Sequence, residues 1–145
     1  MGANAMSFWV CNYHVVWATK GREPMITPSI EGVIFESIRQ KSIELKASIL
    51  AVNGVEDHVH VAVQIPPKVS VSQWVRHVKG FSTREVNTMY PDLPISFRWQ
   101  TGFGVLTFGS KQTPFVVGYI ERQKAHHANN TIEPYLERIG EDDSD

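Results

Sequence analysis

The sequence has little cysteine and no long apolar runs. Cys11 is the single cysteine among 145 residues, which excludes an intramolecular disulfide and indicates a reducing compartment. No apolar stretch is long enough to span a bilayer, and the opening "MGANAMSFWV" lacks the basic-then-apolar order of a secretion signal. These absences favour a cytoplasmic protein without a membrane partner.

The sequence also has no large excess of positive or negative charge. The formal net charge is −1, but four of the 15 acidic residues stand in the final "EDDSD". Outside that run, the chain has 14 basic and 11 acidic residues. So weak a basic excess neither indicates nor excludes a nucleic-acid partner, and any such binding has to depend on local patches.

The chain also lacks internal repeats, low-complexity tracts and linkers. With 42% hydrophobic residues it is long enough to bury a core of its own. We therefore expect a single domain over residues 1–145. Residues 1–7 are expected to be a flexible leader, and residues 140–145 a flexible acidic tail.

Hydrophobic periodicity and turn signals predict alternating strands and helices. The predicted strands cover 8–19, 47–54, 58–65 and 95–99, with 104–108 extending the sheet. The predicted helices begin after Thr27, Ser70 and Thr113, each a capping residue, and the third runs over about 114–127. The order β-α-β-β-α-β predicts an α+β, ferredoxin-like or RRM-like fold. In it, an antiparallel sheet carries two helices on one face, and the C-terminal helix is additional.

The third strand, "HVHVAVQI", carries two histidines two positions apart. Side chains alternate between the faces of a strand, so His58 and His60 share one face and Val59, Val61 and Val63 the other. The valines are predicted to pack against the helices, and the imidazoles to point outward from the open face of the sheet. The two rings are close enough to bind one metal ion, although a polar strand face that happens to carry histidine has the same pattern.

The third helix, "TPFVVGYIERQKAHHANN", places Tyr119 and Gln123 one turn apart on one face. A phenol is a weak nucleophile at its usual pKa of about 10 and needs a metal or a polarised target. A carboxamide oxygen suits magnesium or manganese beside two imidazoles. Aromatic and polar residues also stand four apart on many ordinary helices, so this spacing alone does not define a site.

Together these segments resemble a known family. The chain is similar to the single-tyrosine transposases of the His-hydrophobe-His group, particularly the REP-associated tyrosine transposases and the transposases of the smallest insertion sequences. The similar segments, between about residues 11 and 139, are "YHVVWATKGREP", "DHVHVAVQIPP", "VSQWVRHVKGFSTR", "FRWQTGFGVLTF" and "YIERQKAHHANNTIEPYLERI".

The resemblance implies an activity and a site. His58 and His60 match the metal-binding pair of the family, Gln123 matches the position that completes the metal site, and Tyr119 matches the nucleophile. The implied reaction is Mg²⁺- or Mn²⁺-dependent cleavage and rejoining of single-stranded DNA through a covalent 5′-phosphotyrosine. The resemblance also implies hairpin or single-stranded DNA as partner, and a homodimer in which the Tyr119 helix can serve the histidine pair of the other chain. The host compartment is expected to be a prokaryotic cytoplasm, with the protein on the nucleoid when bound to DNA.

Other residues and functions are weaker candidates. Asp57 is a candidate to orient His58, and Trp99 or Phe103 to stack on a base. The candidate phosphate contacts are Lys20, Arg22, Arg76, Lys79, Arg84 and Lys111. The alternative functions are a domesticated protein that binds hairpins or single strands without transposing, and a phosphodiesterase that uses water in place of tyrosine.

Overall fold

The computed structural model describes residues 7–140. Its strands are β1 (Asn12–Ala18), β2 (Ser48–Val55), β3 (His58–Gln64) and β4 (Gly104–Phe108). Its helices are α1 (Pro28–Glu44), α2 (Val71–Met89), α3 (Thr113–Glu121) and α4 (Gln123–Ala128), with single 3-10 turns at Lys20–Arg22, Ser110–Gln112 and Pro134–Glu137. Apart from Ser7 and Gly140, the predicted leader and acidic tail lie outside the described residues.

The four strands form one antiparallel sheet in the order β2-β3-β1-β4. The first and third strands are central, with Val15 opposite Val61 on one side and Val105 on the other. This order and the two helical crossovers are those of a ferredoxin-like sheet. The prediction of the fold class is confirmed.

One face of the sheet packs against α1 and α2. Val59, Val61 and Val63 lie in the main core, as their alternation with the histidines predicted. The helices contribute residues at helical spacing to the same core, among them Ile30, Ile34, Ile38, Trp74, Val75 and Val78. Thr27 and Ser70 cap the two helices, since each side-chain oxygen accepts a hydrogen bond from the backbone N–H three residues on.

The opposite face of the sheet is covered in part by α3. Val116 and Ile120 of this helix pack on Ala51 and Ala62, whose small side chains let the helix approach the strands closely. Further along the same face, Ile139 packs on Val16 and Ala18. The sheet therefore lies between the α1–α2 layer and a second layer formed by α3 and the C-terminal segment.

The predicted strand at 95–99 is wrong. The N–H and C=O of Phe97 bond to the side chain of Asn87 on α2 instead of to a neighbouring strand, and Phe97 itself is buried in the core. In the same stretch, Trp99 makes only an isolated bridge to Thr19. The fourth strand is 104–108, which had been predicted as an extension of the sheet.

Two predicted boundaries also differ. The first strand begins at Asn12 and not at residue 8. The third helix is not continuous, because Arg122 leaves helical geometry at φ −103° and ψ 22° and separates α3 from α4. The guanidinium of Arg122 folds back to within 3.2 Å of the place where a Cβ on Gly118 would stand. The break turns the chain immediately before Gln123.

Within residues 7–140, no helix is both long and apolar enough to cross a membrane.

Candidate active site

The histidine pair lies in the interior of the molecule. His58 and His60 project from the same face of β3 with ring centroids 5.1 Å apart, as the period of the strand predicted. However, their exposed fractions are only 1% and 0%, so the prediction that they point outward from an open face is wrong. The face is covered by α3 and the C-terminal segment, which pack on the neighbouring positions of the sheet.

The carboxylate of Glu137 lies at the centre of the site. Its Oε1 is 3.1 Å from His58 Nε2 and 3.0 Å from His60 Nε2. Burial opposes ionisation of this carboxyl group, but hydrogen bonds from the two imidazoles outweigh burial and hold its pKa well below the usual range. Glu137 is therefore an anion between two histidines, and one ligand atom from each of the three lies within 4.8 Å of the others.

Glycine at position 104 makes this approach of the C-terminal segment to the sheet feasible. A Cβ on Gly104 of β4 would stand 1.9 Å from the carbonyl oxygen of Arg138, far inside van der Waals contact. Only glycine lets the backbone next to Glu137 pass so close over the strand. The position of the Glu137 carboxylate therefore depends on a glycine in β4, a strand that contributes no side chain to the site.

Tyr119 projects from α3 toward the same carboxylate. Its hydroxyl donates to Glu137 Oε2 and accepts a hydrogen bond of 3.0 Å from the backbone N–H of Glu133. The tyrosine ring lies 6.0 Å from that of His60, centroid to centroid. Burial, with the neighbouring Glu137 carboxylate, raises the pKa of Tyr119 to about 12. The nucleophile candidate is thus a neutral phenol in this arrangement.

Gln123 reaches the site from the first position of α4. It is completely buried, and its Nε2 donates to Glu137 Oε2 over 3.2 Å. Its Oε1 is buried and has no hydrogen-bond partner among the described residues. A buried acceptor without a partner costs stability unless a ligand or ion completes it. The orphaned oxygen, two imidazole nitrogens and a carboxylate are a donor set that fits a divalent cation.

Two further residues orient the rings of the histidine pair. Asp57 Oδ1 lies 2.7 Å from His58 Nδ1, and His14 Nε2 lies 2.8 Å from His60 Nδ1. Burial and the neighbouring His60 lower the pKa of His14 to about 3, so His14 is neutral and its Nε2 can accept a proton. With Nδ1 of each ring held on the outer side, both Nε2 atoms face the centre, where a metal ion would bind them. The predicted contact of Asp57 with His58 is confirmed.

Glu137 and His14 were not predicted to belong to the site. His14 alternates with the core residues Val15 and Trp17 on β1, so the period of the strand already placed it on the histidine face. Glu137 offered no such signal in the sequence, because it is the last residue of a 3-10 turn and has no regular spacing from Tyr119. Tyr119 and Gln123 were predicted to share a helical face, and both reach the same carboxylate although the helix breaks between them.

The tandem histidines after Gln123 also lie beside the site. His127 Nε2 is 3.4 Å from Glu137 Oε1, and its ring lies edge-on to that of His58 at 4.9 Å. The ring of His126 stacks on Tyr119 at 4.5 Å. These contacts enclose the tyrosine and the carboxylate with a third and a fourth imidazole.

The predicted phosphate contacts lie in three parts of the chain. Near the histidine pair, Arg22 Nε lies 3.6 Å from Asp57 Oδ2, and Lys20 belongs to the same 3-10 turn. Lys111 lies in the turn before α3. On α2, across the sheet from the histidines, Arg76 and Arg84 are exposed, whereas Lys79 donates to the carbonyls of Gln100 and Gly102.

Comparison with known proteins places this chain among transposases. The family described as "Transposase IS200 like" matches residues 7–123. The transposase of insertion sequence IS200 from Salmonella typhimurium is 31% identical over 119 residues, which cover 79% of this chain and 78% of that protein. The ISDra2 transposase of Deinococcus radiodurans is 23% identical over 115 residues, covering 77% and 82%.

Solved structures show the same fold. A crystal structure assigned as a transposase from Deinococcus radiodurans R1 superposes with a TM-score of 0.68 at 23% identity, over 85% of this chain and 98% of that one. A REP-associated tyrosine transposase bound to a REP hairpin gives 0.62 at 15% identity, over 83% and 72%. The protein is thus of the transposase class. In particular, the chain belongs to the IS200-like transposase family.

The role of Glu137 can be tested by titration with metal. We expect Glu137→Gln to weaken Mn²⁺ binding by at least about tenfold, because the carboxamide keeps the shape but removes the anionic ligand. Isothermal titration calorimetry with MnCl₂ measures the effect. Glu133→Gln is the matched control, because Glu133 is an exposed acid of the same segment and only its backbone N–H contacts the site. Unchanged Mn²⁺ affinity together with faster DNA cleavage would show instead that Glu137 blocks the site.

Proposed function

We propose that this transposase cleaves and rejoins single-stranded DNA through a covalent bond between Tyr119 and a 5′-phosphate. The observation that carries the proposal is the convergence of Tyr119, Gln123 and both histidines of the pair on the Glu137 carboxylate. A hydroxyl nucleophile and a divalent-cation site in contact are the two parts that phosphoryl transfer to tyrosine requires.

The residues have distinct parts in the proposed reaction. His58, His60 and Glu137 would hold a divalent cation, Mn²⁺ or Mg²⁺, and the free Oε1 of Gln123 would be a further ligand. When bound, the cation supplies Lewis-acid polarisation of the scissile phosphate and offsets the charge that develops on its oxygens. Asp57 and His14 hold the Nδ1 atoms of the two rings and so direct both Nε2 ligand atoms inward.

Tyr119 Oη forms the new bond to phosphorus as the bond from phosphorus to the 3′-oxygen breaks. The phenol loses its proton, and the departing 3′-oxygen gains one to leave as a 3′-hydroxyl. Because one phosphodiester replaces another, the bond energy is retained and rejoining needs no ATP. Attack by a different 3′-hydroxyl on the phosphotyrosine then joins a new pair of strands and regenerates Tyr119.

DNA in single-stranded or hairpin form is the proposed partner. Support comes from the family and from the hairpin bound by one structural neighbour. The proposal also includes a homodimer, a single domain over residues 1–145 and action on DNA of a prokaryotic cytoplasm. The proposed phosphate contacts are Lys20, Arg22, Arg76, Lys79, Arg84 and Lys111.

A hairpin-binding protein that no longer transposes is the second candidate. The observation in its favour is that the Tyr119 hydroxyl is already bonded to Glu137, in the space that a scissile phosphate has to enter. A phosphodiesterase that uses water is the third candidate, but it gives the buried tyrosine no part in the chemistry.

One assay separates these functions. The protein is incubated with Mn²⁺ and 5′- or 3′-labelled single-stranded DNA from the flanks of its own gene, then run on a denaturing gel. The transposase gives a protein band that carries the 3′ label, because the fragment with the new 5′-phosphate stays on tyrosine. Cleavage without an adduct would identify a hydrolase, and binding without cleavage would identify the domesticated protein.

Mixing two inactive variants tests whether the site is completed within one chain. We expect Tyr119→Phe mixed with the double variant His58→Ala, His60→Ala to remain inactive, because all the site residues described here converge within a single chain. Subunit exchange has to be demonstrated first, with differently labelled chains. Recovery of part of the cleavage in the mixture would show that the Tyr119 helix serves the histidine pair of the other chain.

A further inference from the structure

We propose that His126 is a positioning residue for the nucleophile, because its imidazole stacks on the ring of Tyr119 and holds the phenol in place across the break between α3 and α4. The proposal rests on the proposed function, in that Tyr119 is taken as the nucleophile. It deepens that function by giving a part to a side chain that is neither the nucleophile nor a proposed ligand of the metal ion.

The break in the helix is what brings the two rings together. His126 follows Tyr119 by seven residues, a separation of about 10 Å along the axis of a continuous α-helix. Side chains on one such helix lean in the same direction, so their rings would keep that separation. The ring centroids are nevertheless 4.5 Å apart, because the chain leaves helical geometry at Arg122 and α4 takes a new direction. The contact is therefore a product of the break.

The contact between His126 and Tyr119 is a stack of two ring faces. The two ring planes are inclined by only 21°, whereas the ring of His60 meets that of Tyr119 edge-on, at 67° and a centroid distance of 6.0 Å. A stacked neighbour and an edge-on neighbour together restrict both the tilt and the position of the phenol ring. The hydroxyl lies in the plane of that ring, so its direction is set by the same two contacts.

The stack can persist when substrate enters the site. The hydroxyl of Tyr119 donates to Glu137 and has to leave that carboxylate before its oxygen attacks phosphorus, so this bond cannot position the nucleophile during the reaction. The contact with His126 involves the face of the ring and leaves the hydroxyl free. A misplacement of about 1 Å in a reacting group can cost about 10²-fold in rate, so a contact that persists through the reaction has a large effect.

The imidazole of His126 is itself held in a fixed orientation. Its Nδ1 lies 3.0 Å from Thr131 Oγ1, and the carbonyl of His126 accepts a hydrogen bond of 2.8 Å from the backbone N–H of Thr131. Asn130, at a φ of 57°, turns the chain so that both contacts form. Thr131 therefore fixes the rotation of the imidazole as well as the end of α4.

The helix that carries His126 is attached to the body of the protein by contacts of its own. Lys124 Nζ donates to the carboxylate of Glu31 on α1 over 2.7 Å. It also donates to Asn53 Oδ1 over 2.8 Å and to the carbonyl of Gly54 over 3.1 Å, both on β2. These three bonds tie α4 to α1 and to the sheet, and the stack transmits this fixed position to the nucleophile.

The geometry separates positioning from metal ligation and proton transfer. Within residues 7–140, the ligand atoms able to hold an ion belong to His58, His60 and Glu137, and His126 is not among them. In the same range, no hydrogen bond joins His126 to the Tyr119 hydroxyl, since the stacked imidazole presents its face and not its nitrogen atoms. His126 therefore acts through its ring, and an aromatic hydrocarbon can replace it.

Single-turnover kinetics with Mn²⁺ and protein in excess over 3′-labelled DNA tests the ring. We expect His126→Ala to lower the maximal rate of adduct formation about 100-fold and to change the half-saturating protein concentration less than about twofold, since alignment is lost and binding is not. His126→Phe keeps an aromatic face and should react within about threefold of the unmodified protein. His126→Asn keeps a polar end without a face and should be as slow as His126→Ala. His77→Ala, in a helix remote from the site, is the matched control and should leave the rate unchanged.

NMR relaxation of ¹³C-labelled tyrosine rings tests the positioning without the chemistry. The chain has four tyrosines, and the signal of Tyr119 is assigned by its loss in Tyr119→Phe. Spectra are recorded in the Glu137→Ala background, in which the hydroxyl has lost its acceptor. In that background we expect His126→Ala to lower the ring order parameter of Tyr119 into the flexible range, below about 0.6, and His126→Phe to leave it unchanged.

An unchanged maximal rate in His126→Ala would overturn the proposal, as would an unchanged order parameter of Tyr119 in that variant. Recovery of the rate by His126→Asn and not by His126→Phe would show instead that the imidazole acts through a nitrogen atom. If His126→Ala does not fold, the comparison of the Phe and Asn variants decides. If the unmodified protein forms no adduct, the proposed chemistry fails, and the order parameter alone decides whether His126 positions the tyrosine.

Discussion

Tyr119→Phe is expected to abolish formation of the covalent protein–DNA adduct, a loss of at least about 10⁴-fold, because the variant lacks the hydroxyl oxygen proposed to form the phosphotyrosine. Binding of a DNA hairpin should persist. The substitution keeps the ring packed against His60 and His126. Adduct is measured on a denaturing gel with 3′-labelled DNA, and hairpin binding by anisotropy.

The hydroxyl also contributes to stability. It accepts a hydrogen bond from the N–H of Glu133 and donates to Glu137, so its removal leaves the Glu133 N–H unpaired and takes one donor from Glu137 Oε2, which keeps only Gln123. We expect Tyr119→Phe to lower the free energy of unfolding by about 1–3 kcal/mol, measured by urea denaturation.

Tyr135→Phe is the matched control for the nucleophile. Tyr135 stands in the same C-terminal segment as Glu137 and is 64% exposed. Its variant should form adduct at the unmodified rate. If Tyr119→Phe retains the adduct while Tyr135→Phe loses it, the nucleophile is Tyr135 and the assignment of Tyr119 is wrong.

The double variant His58→Ala, His60→Ala is expected to lose metal-dependent cleavage completely and to weaken Mn²⁺ binding by at least about 100-fold. Two of the four proposed ligands are removed, and the Glu137 carboxylate and the Gln123 oxygen remain. Calorimetric titration with MnCl₂ measures affinity, and the gel assay measures cleavage. Unchanged Mn²⁺ affinity in the double variant would exclude this pair as the metal site.

Stability has to be measured alongside, because both histidines are buried and bonded. Their removal leaves cavities and takes partners from Asp57, His14 and Glu137. We expect a loss of about 3–5 kcal/mol, not the negligible effect that an outward-facing pair would have. His58→Gln alone is the milder variant, since it keeps volume and a polar end in place. His77→Ala, on α2 away from the site, controls for metal bound nonspecifically by histidine.

Local pattern determined the elements that carry most of the site. Alternation along "HVHVAVQI" placed His58 and His60 together and opposite the valine face, because strand geometry fixes which side chains share a face. The four-residue spacing of Tyr119 and Gln123 directed both toward one side, and that relation survived a break in the helix. The order of strands and helices determined the sheet, since short connections leave few arrangements open.

Long-range packing determined the burial of the histidines and the position of Glu137, which local sequence patterns do not encode. Whether a strand face meets solvent or protein depends on which later segments return to it, and here α3 and the C-terminal segment bury the histidines. Glu137 enters the site because the chain turns after α4 and its next residue, Arg138, passes within contact of Gly104, a meeting of residues 34 positions apart that no periodicity encodes. The segment at 95–99 has the composition of a strand, but the amide of Asn87 satisfies its backbone. The local sequence determines the direction of each side chain relative to its own strand or helix. Burial, hydrogen-bond partners and the position of the central carboxylate depend on contacts between elements, and only the tertiary structure contains these contacts.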